Sequence, residues 1–215
     1  VTIHKGHDVT WYDAMLKPTR ADLGLPADAF LVGFTGRMRP VKGGAVLLRA
    51  IANIPPERKV HLVMVGAIDD PLVQQLAASP PLRDRIHRLG HRTDAAAIAT
   101  LFDAFAMPSI EREGLPRAVI EAMSQRVAPI VTSVGGMPEL VVNGVSGLII
   151  PPRDAGALAA AIESLASDPI HCRQLGNAAR TRIESHFNIR HTIAKMESLF
   201  LHAMHAPPPE ERPRT

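Results

Sequence analysis

Two glutamates, Glu113 and Glu121, flank seven residues within the stretch AFAMPSIEREGLPRAVIEAM, from Ala104 to Met123. A short apolar run precedes them and a helix-forming run follows. Gly114, which has no Cβ, lets the backbone approach a ligand closely. Pro116 suits the first turn of a helix, where its missing N–H would be unpaired anyway. The remaining N–H groups of that turn make an anion site. If the segment between the carboxylates were wholly helical it would span about 12 Å, at 1.5 Å per residue. That length would hold both ends of a sugar–diphosphate–ribose unit, with the helix start facing the phosphates. The same spacing fits a plainer reading, in which Glu113 complements the helix dipole and Glu121 is a solvated helix residue.

A second group lies earlier, in Gly36-Arg37-x4-Lys42-Gly43. An arginine that grips bidentately, a lysine point charge and flexible glycines suit a diphosphate. The spacing is neither GxxxxGK[ST] nor GxGxxG, and alone it also fits a basic surface loop. Gly135-Gly136-Met137-Pro138-Glu139 reads as a turn into a helix, either a structural corner or the closure of a ligand rim. The ten histidines form no metal-ligand pattern: His87 and His91 are interrupted by Gly90, and His202 and His205 are expected in solvent. No G-x-S-x-G marks a nucleophile elbow.

The elements that must position these residues are legible from their periodicity. Apolar runs at Phe30–Gly36, Val60–Gly66, Ile86–Leu89, 104–109, Ala128–Val134 and Ser146–Pro151 read as buried strands. Helices are expected at about 45–54, 71–78, 95–101 (capped by Asp94), from Pro116 onward, at 154–166, 170–185 and 189–205, with a short one in GGMPELV. Residues 1–12 read as an extended piece with a polar turn at Lys5–Asp8, and 13–28 as a surface connection. Strands alternating with helices predict an α/β fold: a Rossmann-like domain with a parallel sheet of about six strands and helices on both faces. Ligands bind such sheets at the carboxyl ends of the strands, where loops 36–43, 66–70, 90–94, 109–116 and 134–138 would gather.

Composition narrows the classes. The chain has 215 residues, 46% of them hydrophobic, enough for a sizeable core. A net charge of +3 with scattered basic residues, and only 4% aromatics, argue against nucleic acid as a partner. The single cysteine, Cys172, excludes an internal disulfide and fits a reducing, cytoplasmic compartment. No apolar run is long enough to span a membrane, and no secretory signal opens the chain. Val1 in place of an initiator methionine is expected of a fragment or a processed form.

Several segments together resemble one family. GRMRPVKG, the Val65-Gly66 strand end, LGHRTD, MPSIEREGLPRAVIEAM and VGGMPELVVNGVSGLIIPPRD are similar to the donor-binding, C-terminal half of retaining glycosyltransferases of GT-B fold, the family 4 group (glycosyltransferases group 1). The resemblance covers most of residues 30–200 in order; KGHDVTWY resembles the lead-in to this half in some bacterial members. It implies residues 1–28 as an interdomain linker and 29–205 as the nucleotide-sugar-binding domain, and residues 206–215 read as a disordered tail.

The resemblance also implies roles. Arg37 and Lys42 would neutralise the donor diphosphate and the charge building on the leaving group. Glu113 would accept hydrogen bonds from hydroxyls of the donor sugar. Gly114 and Leu115 would offer backbone N–H groups, Glu121 would bind the ribose, and Arg92, within His91-Arg92-Thr93-Asp94, would lie near the base. No metal or other cofactor is expected, since Arg37, Lys42 and the helix start would supply that electrostatic work. The implied partners are a nucleotide-diphosphate sugar donor and a sugar or glycolipid acceptor of the cell envelope. The acceptor would bind an N-terminal domain outside this chain, with peripheral membrane association of the full enzyme. Without that domain the chain would transfer sugar poorly or not at all and would expose apolar surface. The alternatives are a nucleotide-sugar-binding or regulatory module without activity of its own, or a GT-B nucleotide-sugar epimerase.

Overall fold

The computed structural model describes residues 2–80, 82–111 and 113–205; the expected tail at 206–215 lies outside the described residues. Six strands form one sheet: β1 (Phe30–Thr35), β2 (Val60–Val65), β3 (Ile86–Gly90), β4 (Ala104–Met107), β5 (Ala128–Thr132) and β6 (Leu148–Ile150). Their order is β3-β2-β1-β4-β5-β6, and every pairing is parallel. The helices are α1 (Val9–Asp13), α2 (Gly44–Asn53), α3 (Pro71–Ala77), α4 (Ala95–Ile98), α5 (Arg117–Ser124), α6 (Met137–Leu140), α7 (Ala155–Ser167), α8 (Pro169–His186) and α9 (Ile189–His205).

The central strands are apolar along their length because both faces are covered. Leu31, Val32 and Phe34 of β1, and Leu62, Val63 and Met64 of β2, are buried, as are all four residues of β4. Helix α2 packs its Leu47, Leu48 and Ile51 into this core, and α8 contributes Leu175, Ala179 and Ile183. The sheet winds outward from β1 in both directions, through β2 on one side and β4 on the other. That reversal opens a crevice at the carboxyl ends of β1 and β4. The α/β expectation and the strand count hold, with strand boundaries moved by at most two residues.

Four local expectations differ. Residues 9–13 form α1 rather than extended chain, because the Asp8 carboxylate accepts from the Thr10 N–H at 3.0 Å and caps the turn. This lead-in is docked: Tyr12 is buried, Gln125 Nε2 donates to its carbonyl, and Arg180 grips both Asp13 oxygens at 2.9 and 2.7 Å. Asp94 precedes α4 but does not cap it, because both of its oxygens accept from Arg92, at 2.9 and 2.7 Å. Pro116 lies outside the helix, with ψ near 121°, so α5 begins at Arg117. The stretch from Glu113 to Glu121 is therefore half loop, and the wholly helical span of about 12 Å does not apply. His87 stacks on His61 across β2 and β3, with ring nitrogens 3.0 Å apart.

Among the described residues, no group of three or more His, Cys, Asp or Glu side chains is placed to hold a metal. No helix is long and apolar enough to cross a membrane. Helix α9 carries Ile193, Met196, Leu199, Phe200, Leu201 and Met204 in solvent.

Candidate functional site

The site begins where β1 and β2 end. Gly36 and Gly66 follow these strands, and a Cβ on Gly66 would stand 2.2 Å from the Gly36 carbonyl oxygen. Gly66 also has φ of +132°, which side chains avoid, so both the contact and the backbone demand glycine. The two loops therefore lie together and floor a cavity of about 590 Å³. Its walls carry Arg37 from the β1 loop, His91 and Arg92 from the β3 loop, and Arg117, Ala118 and Glu121 from α5. It is built on the topological switch point, the position where doubly wound sheets take their ligands.

Each charged group in this cavity has a partner. Arg37 is paired with Asp69, and Arg92 with Asp94 at 2.7 Å. The Glu121 carboxylate accepts from Arg117 Nε at 2.7 Å. Burial pushes the Glu121 carboxyl up, while the Arg117 charge and hydrogen bond pull it back. Arg117 also meets the Tyr12 hydroxyl, which lies 3.0 Å from His7 Nδ1. Burial and the nearby Glu121 charge push the Tyr12 phenol up to about 12.

Glu113 stands elsewhere. It lines an adjoining cavity of about 520 Å³ with Gly114, Leu115, Gly135, Gly136 and Glu139. Its carboxylate is paired with Lys42 and accepts from Ser109 Oγ at 3.1 Å. Ser109 is fixed in turn by Thr132 Oγ1, which donates to its carbonyl at 2.6 Å. Gly135 lets the two loops meet: its φ is +56°, and a Cβ there would fall 1.9 Å from the Glu113 carbonyl oxygen. Gly136 N–H donates to that same oxygen at 2.9 Å.

Between the two cavities lies the start of α5. Helices α1, α3, α7 and α8 are capped by Asp8, Asp70, Asp154 and Asp168; α5, like α2, α4 and α6, has no side-chain cap. Among the described residues the N–H groups of Gly114, Leu115, Arg117 and Ala118 have no hydrogen-bond partner. Unpaired donors at the positive end of a helix suit an anion.

The sequence-predicted residues thus fall into two groups. Arg37, Arg92 and Glu121 share the first cavity, and Glu113, Gly114 and Leu115 share the second. Lys42 joins them by its pair with Glu113. The sequence reading passed over Arg117, Tyr12 and Asp69. The Arg117–Glu121 spacing of four on a helix was a usable signal, since such residues are neighbours on one face. The Arg37–Asp69 pair joins two loops distant in sequence and left none.

This arrangement, a parallel 3-2-1-4-5-6 sheet with a cation-lined cavity at its switch point, defines a Rossmann-like α/β domain. The chain matches the family described as "Glycosyl transferases group 1" over residues 17–182 and belongs to it. It is 33% identical over 214 residues to alpha-maltose-1-phosphate synthase of Mycolicibacterium smegmatis, covering 88% of this chain and 53% of that protein. It is 33% identical over 179 residues to D-inositol 3-phosphate glycosyltransferase of Streptomyces avermitilis, covering 77% of this chain and 38% of that protein. The chain spans about half the length, or less, of the curated relatives it matches.

Among solved structures, Anabaena HepE in complex with UDP-glucose superposes with a TM-score of 0.82 at 26% identity, covering 93% of this chain and 56% of that one. The C-terminal domain of LpcC from Francisella tularensis superposes with a TM-score of 0.72 at 20% identity, covering 86% of this chain and all of that one. The fold is that of GT-B glycosyltransferases.

Proposed function

We propose that this chain is the donor-binding domain of a retaining glycosyltransferase that takes a UDP-sugar. The observation that carries the reading is the cavity of about 590 Å³ at the switch point, which collects Arg37, Arg92 and Glu121 beside an uncapped helix start. The nucleotide lies in this cavity. Glu121 accepts hydrogen bonds from the ribose hydroxyls, and the base packs near His91 and Arg92. The diphosphate faces the free N–H groups at the start of α5, with Arg37 and Lys42 supplying positive charge. The donor sugar extends into the adjoining cavity, where Glu113 accepts from its hydroxyls.

The Lys42–Glu113 pair explains why two charges can wait in a half-buried position. Each neutralises the other until a ligand offers phosphate to the lysine and hydroxyls to the carboxylate. As the glycosidic bond breaks, negative charge grows on the leaving diphosphate, and fixed cations and N–H dipoles stabilise it without a metal. The donor phosphate deprotonates the acceptor hydroxyl as it attacks from the same face, so Glu113 acts as a positioning group and not as a nucleophile. UDP is favoured because structures of the neighbouring HepE hold UDP and UDP-glucose. The acceptor binds a further N-terminal domain, and the enzyme works in the cytoplasm, peripherally at the membrane, on cell-envelope glycans.

A thermal-unfolding series with UDP, GDP, ADP and UDP-glucose in EDTA tests this. A ligand at one hundred times its Kd stabilises the fold by about 2.7 kcal/mol. UDP and UDP-glucose are expected to raise Tm, and GDP and ADP to raise it less. Equal shifts from all nucleotides would remove the base assignment, and no shift would remove the reading.

A further inference from the structure

Helix α1 and the residues leading into it pack against α5, beside the donor cavity. This lead-in is anchored at points independent of that cavity. The His7 N–H donates to the Phe187 carbonyl at 2.7 Å, and the Ile189 N–H donates to the His7 carbonyl at 3.1 Å. Gly6 presses on the start of α9, where a Cβ would stand 2.5 Å from the Ile189 Cα. On the far side of α1, Gln125 Nε2 donates to the Tyr12 carbonyl at 3.1 Å, and Arg180 holds Asp13. Tyr12 is thereby seated between two fixed points, and only 2% of it is exposed.

The Tyr12 hydroxyl lies between His7 Nδ1, at 3.0 Å, and the Arg117 guanidinium. A guanidinium has only donors, so the phenol oxygen accepts from Arg117 and its proton goes to His7. Burial and the charges of Lys5 and Arg117 pull the His7 pKa down, which keeps the imidazole neutral and able to accept. In the other direction Arg117 donates through Nε to Glu121 Oε1 at 2.7 Å. Glu121 Oε2 has no partner among the described residues and is the oxygen left for a ligand. An arginine on an exposed helix face, paired only with a carboxylate four residues on, stays loose. Contact with a buried hydroxyl on an anchored segment selects one arginine rotamer, and with it one orientation of the Glu121 carboxylate.

We propose that Tyr12 and Arg117 are positioning residues for ribose recognition, through which the lead-in at residues 6–13 completes the donor site. Tyr12 holds the guanidinium, the guanidinium holds Glu121 Oε1, and Oε2 meets the ribose hydroxyls already oriented. This rests on the assignment of Glu121 to the ribose made above.

Calorimetric titration of UDP and of 2′,3′-dideoxy-UDP into the native chain, Tyr12→Phe and Arg117→Lys tests it. Tyr12→Phe keeps the ring and removes the hydroxyl; Arg117→Lys keeps the charge and loses the planar fork. The native chain is expected to prefer UDP by roughly twentyfold, because hydrogen bonds to a carboxylate are among the stronger ones. Each variant is expected to bind UDP about fivefold more weakly and dideoxy-UDP as the native chain does, so that the preference falls to about fourfold. A merely structural defect would weaken both ligands equally, and that result would overturn the inference. Undiminished preference in either variant would overturn the role of that residue, with the ribose assignment intact. A native chain that binds the two ligands equally, or binds neither, would overturn the ribose assignment itself and the inference with it.

Discussion

Replacing Arg117 by methionine keeps the aliphatic stem and removes the charge that faces Glu121. The Glu121 side chain is only 13% exposed, and burial already raises its carboxyl above the ordinary value. An acid whose folded pKa is raised penalises the fold above that pKa, and the penalty disappears as pH falls below the unfolded value. Arg117 relieves part of this penalty, and only while Glu121 is ionised. Unit charges 4 Å apart at an effective dielectric of 20 attract by about 4 kcal/mol. Arg117 is 67% exposed, however, and solvent screening brings the pair to about 1 kcal/mol.

Arg117→Met is therefore expected to lower stability by about 1 kcal/mol at pH 8, or roughly 2–4 °C in Tm for a domain of this size. At pH 4, below the ordinary glutamate value, the loss should vanish. Thermal unfolding at the two pH values measures it, with Glu121→Gln and the double variant closing a cycle that isolates the pair. Equal destabilisation at both pH values would mean that Arg117 acts by packing. A cycle energy near zero at pH 8 would refute the electrostatic argument.

Lys42→Met leaves the Glu113 charge half-buried without its cation and is expected to cost about 2 kcal/mol, largely restored by adding Glu113→Gln; urea denaturation of the single and double variants checks this. Gly135→Ala combines a left-handed backbone with a Cβ inside the Glu113 carbonyl and is expected to cost more than about 2 kcal/mol and to abolish UDP-glucose binding, measured by thermal unfolding and calorimetry. Tyr12 is the single tyrosine, so ultraviolet titration reports it alone: phenolate should appear near pH 12, and a midpoint near 10 would mean that the hydroxyl is not buried against Glu121.

The sheet was legible because parallel strands buried on both faces are apolar along their length, as in VHLVMV of β2. Asp154 marked a helix start for an equally local reason, its carboxylate accepting from the Ala157 N–H. Asp94 shows the limit of that logic: an N-cap side chain serves the helix only when no stronger partner is near, and Arg92 was. The candidate site was half legible. Residue types and the strand-loop-helix context pointed to Arg37, Lys42, Glu113 and Glu121. The Asp69 partner of Arg37 depends on which loops the fold brings together, whereas Arg117 stands four residues before Glu121 on the same helix and was readable. The division into two cavities was hidden because it follows from Pro116 standing outside α5, which makes the stretch between the glutamates half loop.

The central claim is that the switch-point cavity holds a nucleotide-diphosphate sugar. Calorimetric titration of UDP-glucose into the chain in EDTA, with Arg37→Met and Glu121→Ala as variants, tests it most directly. The account predicts metal-independent binding that each substitution weakens by roughly tenfold, equivalent to about 1.4 kcal/mol. A folded chain that binds no UDP-glucose, or one whose affinity neither substitution alters, would contradict it.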